Sequence, residues 1–171
     1  MKYNVQIKGD NDNKRFLLEI SGEKPLVVIG VNPSKANAVE SDRTVDRAMY
    51  IAEQNGYDGL LIINLYPQRT TDPTKLHQNA EEDLNRQNIE TITDLVNRVT
   101  YPTVLLSYGD LLLSRVYLKE NLKKILAMFP DTTKWLKMGE LTVKGNPRHL
   151  SRLSYSTKVT DASDYVKHIL K

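Results

Sequence analysis

The chain has no cysteine among its 171 residues. The absence of thiols excludes disulfide bonds, thiolate zinc sites and cysteine nucleophiles. The only histidines are His77, His149 and His168, which are widely separated and have no HExxH-type neighbour. The sequence therefore predicts no metal site and no cofactor.

Long apolar runs are also missing. No stretch is long enough to cross a bilayer, and the N-terminal segment MKYNVQIKGDNDN lacks the apolar centre of a secretion signal. We therefore predict a cytoplasmic protein without a membrane partner. The formal net charge is only +3, and this small surplus permits a phosphate-bearing partner without requiring one.

Short apolar runs that end in turn residues recur along the chain. The run Leu26–Ile29 is followed by Gly-Val-Asn-Pro-Ser, which predicts a strand buried on both faces and a tight turn at Asn32–Ser34. Similar patterns predict further strands at Gly59–Tyr66, Thr103–Tyr108, Lys134–Met138 and Leu141–Val143.

Amphipathic segments between these runs predict helices. The first begins near Thr44, a candidate N-cap, and stops at Gly56; the others cover about 79–99, 111–128 and 161–170, with Asp110 as a candidate N-cap. Strands that alternate with helices predict an α/β fold, a three-layer α/β/α sandwich around a mostly parallel sheet. We expect a single domain over residues 1–171, with an N-terminal β-hairpin (1–22), a core that carries the motifs (25–151) and a closing helix (161–171).

A polar loop follows each predicted strand. Because the carboxyl ends of parallel strands lie at one edge of a sheet, we expect these loops to form a common site. Amides and hydroxyls there can hydrogen-bond a base or sugar, and arginines can bind phosphate. The candidate binding residues are Ser34, Asp42, Thr44, Asn64, Arg69, Thr71, Asp72, Arg148 and Ser151, together with Asn32 and His149.

Several of these residues also have a purely structural interpretation. Asn32 is as compatible with an Asx-turn as with a functional role. Asn64 lies within an apolar strand, where an unpaired amide is costly, so it either holds a loop, which we favour, or faces the pocket. Arg69 and Asp72 could pair with each other and only shape their loop.

The motifs GVNPS, SDRTVDRA, INLYPQRTTDP and GNPRHLS occur in this order between Pro25 and Ser151. In order and spacing they resemble an uncharacterised bacterial and phage family, domain of unknown function 1643. That resemblance implies no activity.

A more distant resemblance does carry chemistry. The order of GVNPS, IINLYPQRTTDP, LLSYGD and PRHLS is similar to the strand-end motifs of the uracil-DNA glycosylase superfamily. The resemblance implies two catalytic residues: Asn32 would position the attacking water or contact the sugar, and His149 would hydrogen-bond the base carbonyl that gains charge. Asn64 would lie at the pocket floor.

Two functional hypotheses follow. In the first, a glycosylase-like pocket binds a nucleotide, nucleobase or single-stranded nucleic acid, with hydrolysis of an N-glycosidic bond as the associated reaction. In the alternative, the protein is a non-catalytic binding or interaction module whose basic rim holds a phosphate-bearing ligand or a protein partner. The sequence does not identify any protein partner.

Overall fold

The computed structural model describes all residues, 1–171. The chain forms one seven-stranded mixed sheet in the spatial order β1-β2-β4-β3-β5-β6-β7. The strands are β1 (Gln6–Lys8), β2 (Leu17–Ile20), β3 (Pro25–Gly30), β4 (Gly59–Asn64), β5 (Thr103–Leu106), β6 (Lys134–Met138) and β7 (Val159–Asp161). The helices are α1 (Arg43–Gln54), α2 (Glu82–Arg98), α3 (Val116–Met128) and α4 (Ser163–Leu170), with short 3₁₀ helices at Pro73–Lys75, Gly109–Ser114 and Leu150–Arg152.

The centre of the sheet is parallel and its edges are antiparallel. Strands β4, β3, β5 and β6 run parallel, whereas β1, β2 and β7 are antiparallel to their neighbours. The sheet is thus mixed, and the expected parallel arrangement is confined to its four central strands. If the four parallel strands are numbered 1 to 4 in chain order (β3, β4, β5, β6), their spatial order is 2-1-3-4. This order creates a topological switch point between β3 and β5.

Apolar side chains are buried on both faces of this sheet, because successive strand residues point to opposite sides. Leu26 and Val28 of β3 belong to a core that includes Val45 and Ala48 of α1. The alternate residues, Val27 and Ile29, belong to a second core built with side chains from α2, α3 and α4. Burial on both faces explains why β3 and β4 consist of unbroken apolar runs.

The predicted N-terminal hairpin is present. Gln6 of β1 pairs with Glu19 of β2, and β2 in turn pairs with β4, so the hairpin extends the sheet. Gly9 has a φ of +69°, and a Cβ at this position would lie 2.1 Å from the Phe16 ring, so the turn requires glycine here. Residues 14–16 of the hairpin therefore lie next to the loop that follows β4, where the Arg15 N–H donates to Pro67 O.

Other local predictions need correction. Leu141–Val143 forms no strand, and α2 begins at Glu82 instead of near residue 79. The N-cap of α1 is Asp42, not Thr44, because the Asp42 carboxylate accepts the backbone N–H groups of the first turn.

Asp110 caps no helix. Its carboxylate accepts hydrogen bonds from Thr142 Oγ1 (2.6 Å) and Asn146 Nδ2 (2.8 Å), and these bonds hold the Asp110 pKa below its usual value. The residue therefore ties the loop after β6 to the end of β5.

None of the helices has the length and apolar character needed to cross a membrane.

Candidate functional site

The carboxyl ends of β3, β4 and β5 open onto a cavity of about 230 Å³. Gly30 and Asn64 end neighbouring strands in register, and Ser107 follows β5 directly. Apolar walls come from side chains on the α1 side of the sheet, including Val28 and Ile62. Eight of the eleven residues predicted from the sequence line this cavity: Asn32, Ser34, Asp42, Thr44, Asn64, Thr71, His149 and Ser151.

The Asn64 side chain is buried in the cavity without a protein partner. Only 3% of the residue is exposed, and its Nδ2 donates no hydrogen bond. A Cβ on Gly30 would lie 2.7 Å from Asn64 Oδ1, so glycine makes room for the amide. Contrary to the interpretation we favoured, the Asn64 side chain holds no loop, because it forms no hydrogen bond within the protein. The backbone carbonyl of Asn64 accepts a hydrogen bond from Asn88 Nδ2 at 3.0 Å. The Nδ2 donor is thus left without a partner within the protein, and Asn64 is one of the residues that line the cavity.

His149 presents a hydrogen-bond donor to the cavity. Its Nδ1 accepts the Ser151 backbone N–H at 3.2 Å and lies 2.7 Å from Ser151 Oγ. Because a backbone N–H can only donate, the proton of the neutral ring is on Nε2. Burial, and then the charge of Arg152, lower the pKa of His149, while Asp42 partly opposes this shift. The imidazole is therefore neutral at pH 7.

Two hydrogen bonds fix the loop that carries this histidine. The Leu150 N–H donates to Ser107 Oγ at 3.1 Å, and the Gly109 N–H donates to Pro147 O at 2.9 Å. Ser107 and Gly109 both belong to the segment that follows β5. The position of His149 is thus coupled to the end of a central strand.

Asn32 joins the loops after β3 and β4. Its Nδ2 donates to Thr70 O (2.8 Å), Pro33 O (3.0 Å) and, at 3.4 Å, Gln68 O. Three carbonyl acceptors determine the orientation of the amide, so the side chain does not form the Asx-turn considered above. Its Oδ1 has no protein partner and remains an acceptor at the cavity wall.

Asp42 is the one carboxylate that lines the cavity. Its Oδ1 accepts the N–H groups of Thr44 and Val45, and its Oδ2 accepts the N–H of Ala36, all at 3.0 Å. These three donors satisfy both oxygens, which suits a cap better than a general base. The hydroxyls of Ser34, Thr44 and Thr71, in contrast, form no hydrogen bond within the protein and line the cavity.

Arg69 and Asp72 lie outside the cavity and do not pair with each other. Arg69 forms an ion pair with Asp10 and donates to Asn11 O (3.0 Å) and Ala36 O (2.9 Å). Asp72 accepts the N–H (3.0 Å) and hydroxyl (2.7 Å) of Thr74, and these bonds lower the Asp72 pKa. Both side chains shape loops.

Arg148 lines a second cavity, of about 590 Å³, next to the first. The two cavities share Pro73, Leu111, His149 and Ser151. The exposed Arg148 guanidinium donates to the Glu140 carbonyl at 2.9 Å. His149 therefore stands between a small polar cavity and a wider one with a basic rim.

Arg15 is a lining residue that the sequence pattern did not reveal. It is 3% exposed, its Nη1 donates to Ala36 O at 2.8 Å, and its Nε has no partner. Burial, and then the nearby charge of Arg69, lower the pKa of Arg15 to about 10, so the guanidinium stays charged at neutral pH. Its one sequence signal is a charged residue directly before the apolar run Phe16–Leu18.

Together these features define a class: an α/β protein with a small polar cavity at the switch point of its parallel strands. No group of three or more histidine, aspartate or glutamate residues in it could hold a metal ion. The chain belongs to the family described as "Protein of unknown function (DUF1643)", whose model matches residues 15–149. The match confirms the predicted membership of domain of unknown function 1643. The match begins at Arg15 and ends at His149, which both line the cavity. No curated protein and no solved structure shows a significant match.

Proposed function

We propose that the protein binds a nucleobase in this cavity, either free or as part of a nucleoside, nucleotide or single-stranded nucleic acid. The observation that carries this proposal is the buried, unpartnered amide of Asn64. An amide offers a donor and an acceptor side by side, which matches a base edge with adjacent carbonyl and N–H groups. The His149 Nε2–H adds a donor for a second carbonyl.

The size of the cavity agrees with such a ligand. Pockets for drug-sized molecules measure roughly 300–1,000 Å³, and this cavity measures about 230 Å³. A single base is therefore a better fit than a complete nucleotide. The sugar of a larger ligand, and the phosphates that continue from it in a nucleic acid, would extend into the adjacent cavity of about 590 Å³, beside Arg148 and Arg152.

Within this proposal the fold is the three-layer α/β/α sandwich of uracil-DNA glycosylases. Support comes from the 2-1-3-4 order of the four parallel strands and from the two cores, one built with α1 and the other with the remaining helices. Further support comes from Asn32 of the turn after β3 and His149 of the late loop, which line the same cavity.

The proposed chemistry is hydrolysis of an N-glycosidic bond. The bond between the base nitrogen and the sugar C1′ breaks, the electron pair leaves with the base, and His149 Nε2–H stabilises the charge on its carbonyl oxygen. Asn32 Oδ1 would orient the water that attacks C1′. The proton released by that water would pass to the leaving base through solvent.

A second candidate function is binding without catalysis. Asp42 is the only carboxylate in the cavity, and three backbone N–H groups occupy most of its lone pairs, which disfavours a role as general base. In this alternative the basic rim at Arg148, Arg152 and Lys144 holds a phosphate-bearing ligand or a protein partner.

Calorimetric titration with free bases and nucleosides tests the proposed binding. Asn64→Leu should abolish binding but leave the free energy of unfolding unchanged or higher, since an unpaired buried amide costs about 1–3 kcal/mol. The exposed Asn79 provides a control, Asn79→Leu, which should bind as the wild type does. Undiminished binding by Asn64→Leu, or no binding by the wild type, would contradict the proposal.

Base release, measured by chromatography after incubation with single-stranded DNA and nucleosides, separates the two candidates. If the protein is a hydrolase, His149→Ala should slow release by about two to three orders of magnitude. His168→Ala, at an exposed position on α4, should have no effect. Binding without any release would instead support the non-catalytic module.

A further inference from the structure

Arg15 is a cation that the fold buries without an anion. Only 3% of the residue is exposed, and it takes part in none of the ion pairs of the molecule. Its single side-chain hydrogen bond within the protein runs from Nη1 to the Ala36 carbonyl. Buried charges are otherwise paired and hydrogen-bonded in proteins, because an unpaired ion loses its hydration without compensation.

The neighbouring charges do not supply the missing partner. Asp10 forms its ion pair with Arg69, and Asp42 uses both carboxylate oxygens to accept backbone N–H groups. Arg69 also donates to the Ala36 carbonyl, so two guanidinium groups meet at one acceptor. The cavity wall at Arg15 therefore carries a positive charge that no carboxylate of the protein contacts.

We propose that Arg15 forms an oxyanion subsite in the same cavity as the base-binding Asn64 amide, so that the ligand is a base that carries a carboxylate or phosphate group. This inference rests on the proposed nucleobase site and narrows its ligand class to anionic compounds. Arg15 Nε and Asn64 Nδ2 are buried donors without partners, and both residues line the same space. A guanidinium is suited to this role because its planar N–H groups match the geometry of carboxylate and phosphate oxygens.

Neutral donors complete the subsite. The hydroxyls of Ser34 and Thr44 line the cavity and have no hydrogen-bond partner within the protein. An oxyanion has several lone pairs to satisfy, and a hydroxyl can donate to one of them whatever the charge. The charge on Arg15 thus provides the preference for an anion, while the hydroxyls provide further hydrogen bonds.

The test compares matched ligands on the full chain. The probes are uracil, uracil-6-carboxylate, uridine 5′-monophosphate and inorganic phosphate, titrated by calorimetry into wild type, Arg15→Met and Arg86→Met. Hydrogen bonds to charged groups are stronger than those between neutral groups, so wild type should bind one anionic probe about tenfold or more tighter than uracil. Arg15→Met should lose that preference, whereas Arg86→Met, on the exposed face of α2, should retain it.

Each outcome decides a separate question. A preference for the carboxylate identifies an acidic base, and a preference for the monophosphate or inorganic phosphate identifies a phosphate ligand. Equal affinity for uracil and both of its anionic derivatives in wild type, or a preference that survives in Arg15→Met, would overturn the oxyanion subsite. Arg15-dependent binding of anions without binding of uracil would instead refute the nucleobase proposal alone.

A second measurement covers the case in which Arg15→Met does not fold. The Nε–Hε signal of Arg15 in the wild-type protein, assigned by nuclear magnetic resonance with Arg15→Lys, reports directly on its unpartnered donor. Addition of the tightest anionic probe should shift this signal. A signal that does not move at saturating probe would overturn the inference.

Discussion

Unsatisfied polar atoms are concentrated at one place in this protein. Three buried side-chain atoms lack a hydrogen-bond partner, and two of them, Arg15 Nε and Asn64 Nδ2, belong to residues that line the same cavity. An unpaired buried group costs about 1–3 kcal/mol, and more if it is charged. A fold that tolerates two such costs in one cavity is consistent with a ligand that recovers them on binding.

At the same scale, the lowered pKa of His149 predicts how stability depends on pH. The unfolded chain titrates at the usual histidine pKa of about 6.5, and burial holds the folded value lower. The unfolded state therefore binds the proton more tightly. The contribution of His149 to the free energy of unfolding should be complete above about pH 6.5 and be lost as the pH falls through the lowered pKa.

Urea unfolding between pH 4.5 and 8 measures this effect. His149→Gln should flatten the fall in stability below pH 6.5, while His168→Gln, at an exposed position, should retain the wild-type profile. If the two variants give the same profile, His149 does not titrate as the structure requires.

At the scale of elements, the N-terminal hairpin is part of the site and not only an edge of the sheet. The Arg15 N–H donates to Pro67 O, and the Arg69 N–H donates to Asn13 O, so the hairpin is bonded to the loop after β4. The Arg69 side chain adds bonds to the turn at Asp10 and Asn11 and to the loop after β3. These contacts hold Arg15 at the cavity.

This arrangement predicts that Arg69 contributes more to stability than to phosphate binding. Arg69→Met removes several hydrogen bonds, each worth about 1 kcal/mol, and should lower the free energy of unfolding by about 2 kcal/mol or more. Arg148→Met removes an exposed guanidinium that contacts only two backbone carbonyls, and should cost less than about 1 kcal/mol. Urea unfolding of both variants provides the comparison; equal losses would show that Arg69 does not join the hairpin to the loops.

At the scale of the whole molecule, the small positive charge of +3 is less informative than its distribution. Arg148 and Arg152 line the wider cavity, and Lys144 lies exposed in the preceding loop. None of these three residues forms an ion pair within the protein. The basic rim is therefore free to meet phosphates that continue from a base held next to His149.

We expect weak, salt-sensitive binding of single-stranded nucleic acid at this rim. Neutralising phosphates releases counterions, so the logarithm of the binding constant should fall linearly with the logarithm of salt concentration. The double variant Arg148→Gln, Arg152→Gln should reduce the slope by about 0.7 for each phosphate that the protein no longer neutralises. Fluorescence anisotropy with a labelled oligonucleotide measures the slope.

Arg86→Gln provides the control for this measurement, because Arg86 lies on the exposed face of α2 and pairs with acidic neighbours. It should leave the slope unchanged. If no oligonucleotide or nucleotide binds at low salt, the rim does not serve nucleic acid, and the interaction-module hypothesis gains support.

The strands and their terminal loops could be predicted from the sequence because their signals are local. Unbroken apolar runs such as Leu60–Ile63 indicate burial on both faces, and Gly-Val-Asn-Pro-Ser marks the end of β3 within a few residues. The carboxyl ends of parallel strands lie at one edge of a sheet, so the proximity of Asn32 and His149 could be predicted without knowledge of the packing. Eight of the 18 residues that line the cavity follow from these two steps.

The use of each polar side chain was decided only by the tertiary structure. Arg69 is adjacent to Thr70 in sequence, but its partners lie at residues 10, 11, 34 and 36, and their approach depends on how the hairpin packs. Arg15 enters the cavity, and Asn64 is left unpaired, for the same reason. A pattern of neighbours along the chain shows which residues are polar and near a strand end; it does not show which donors the fold will satisfy, because those contacts join segments that are distant in sequence.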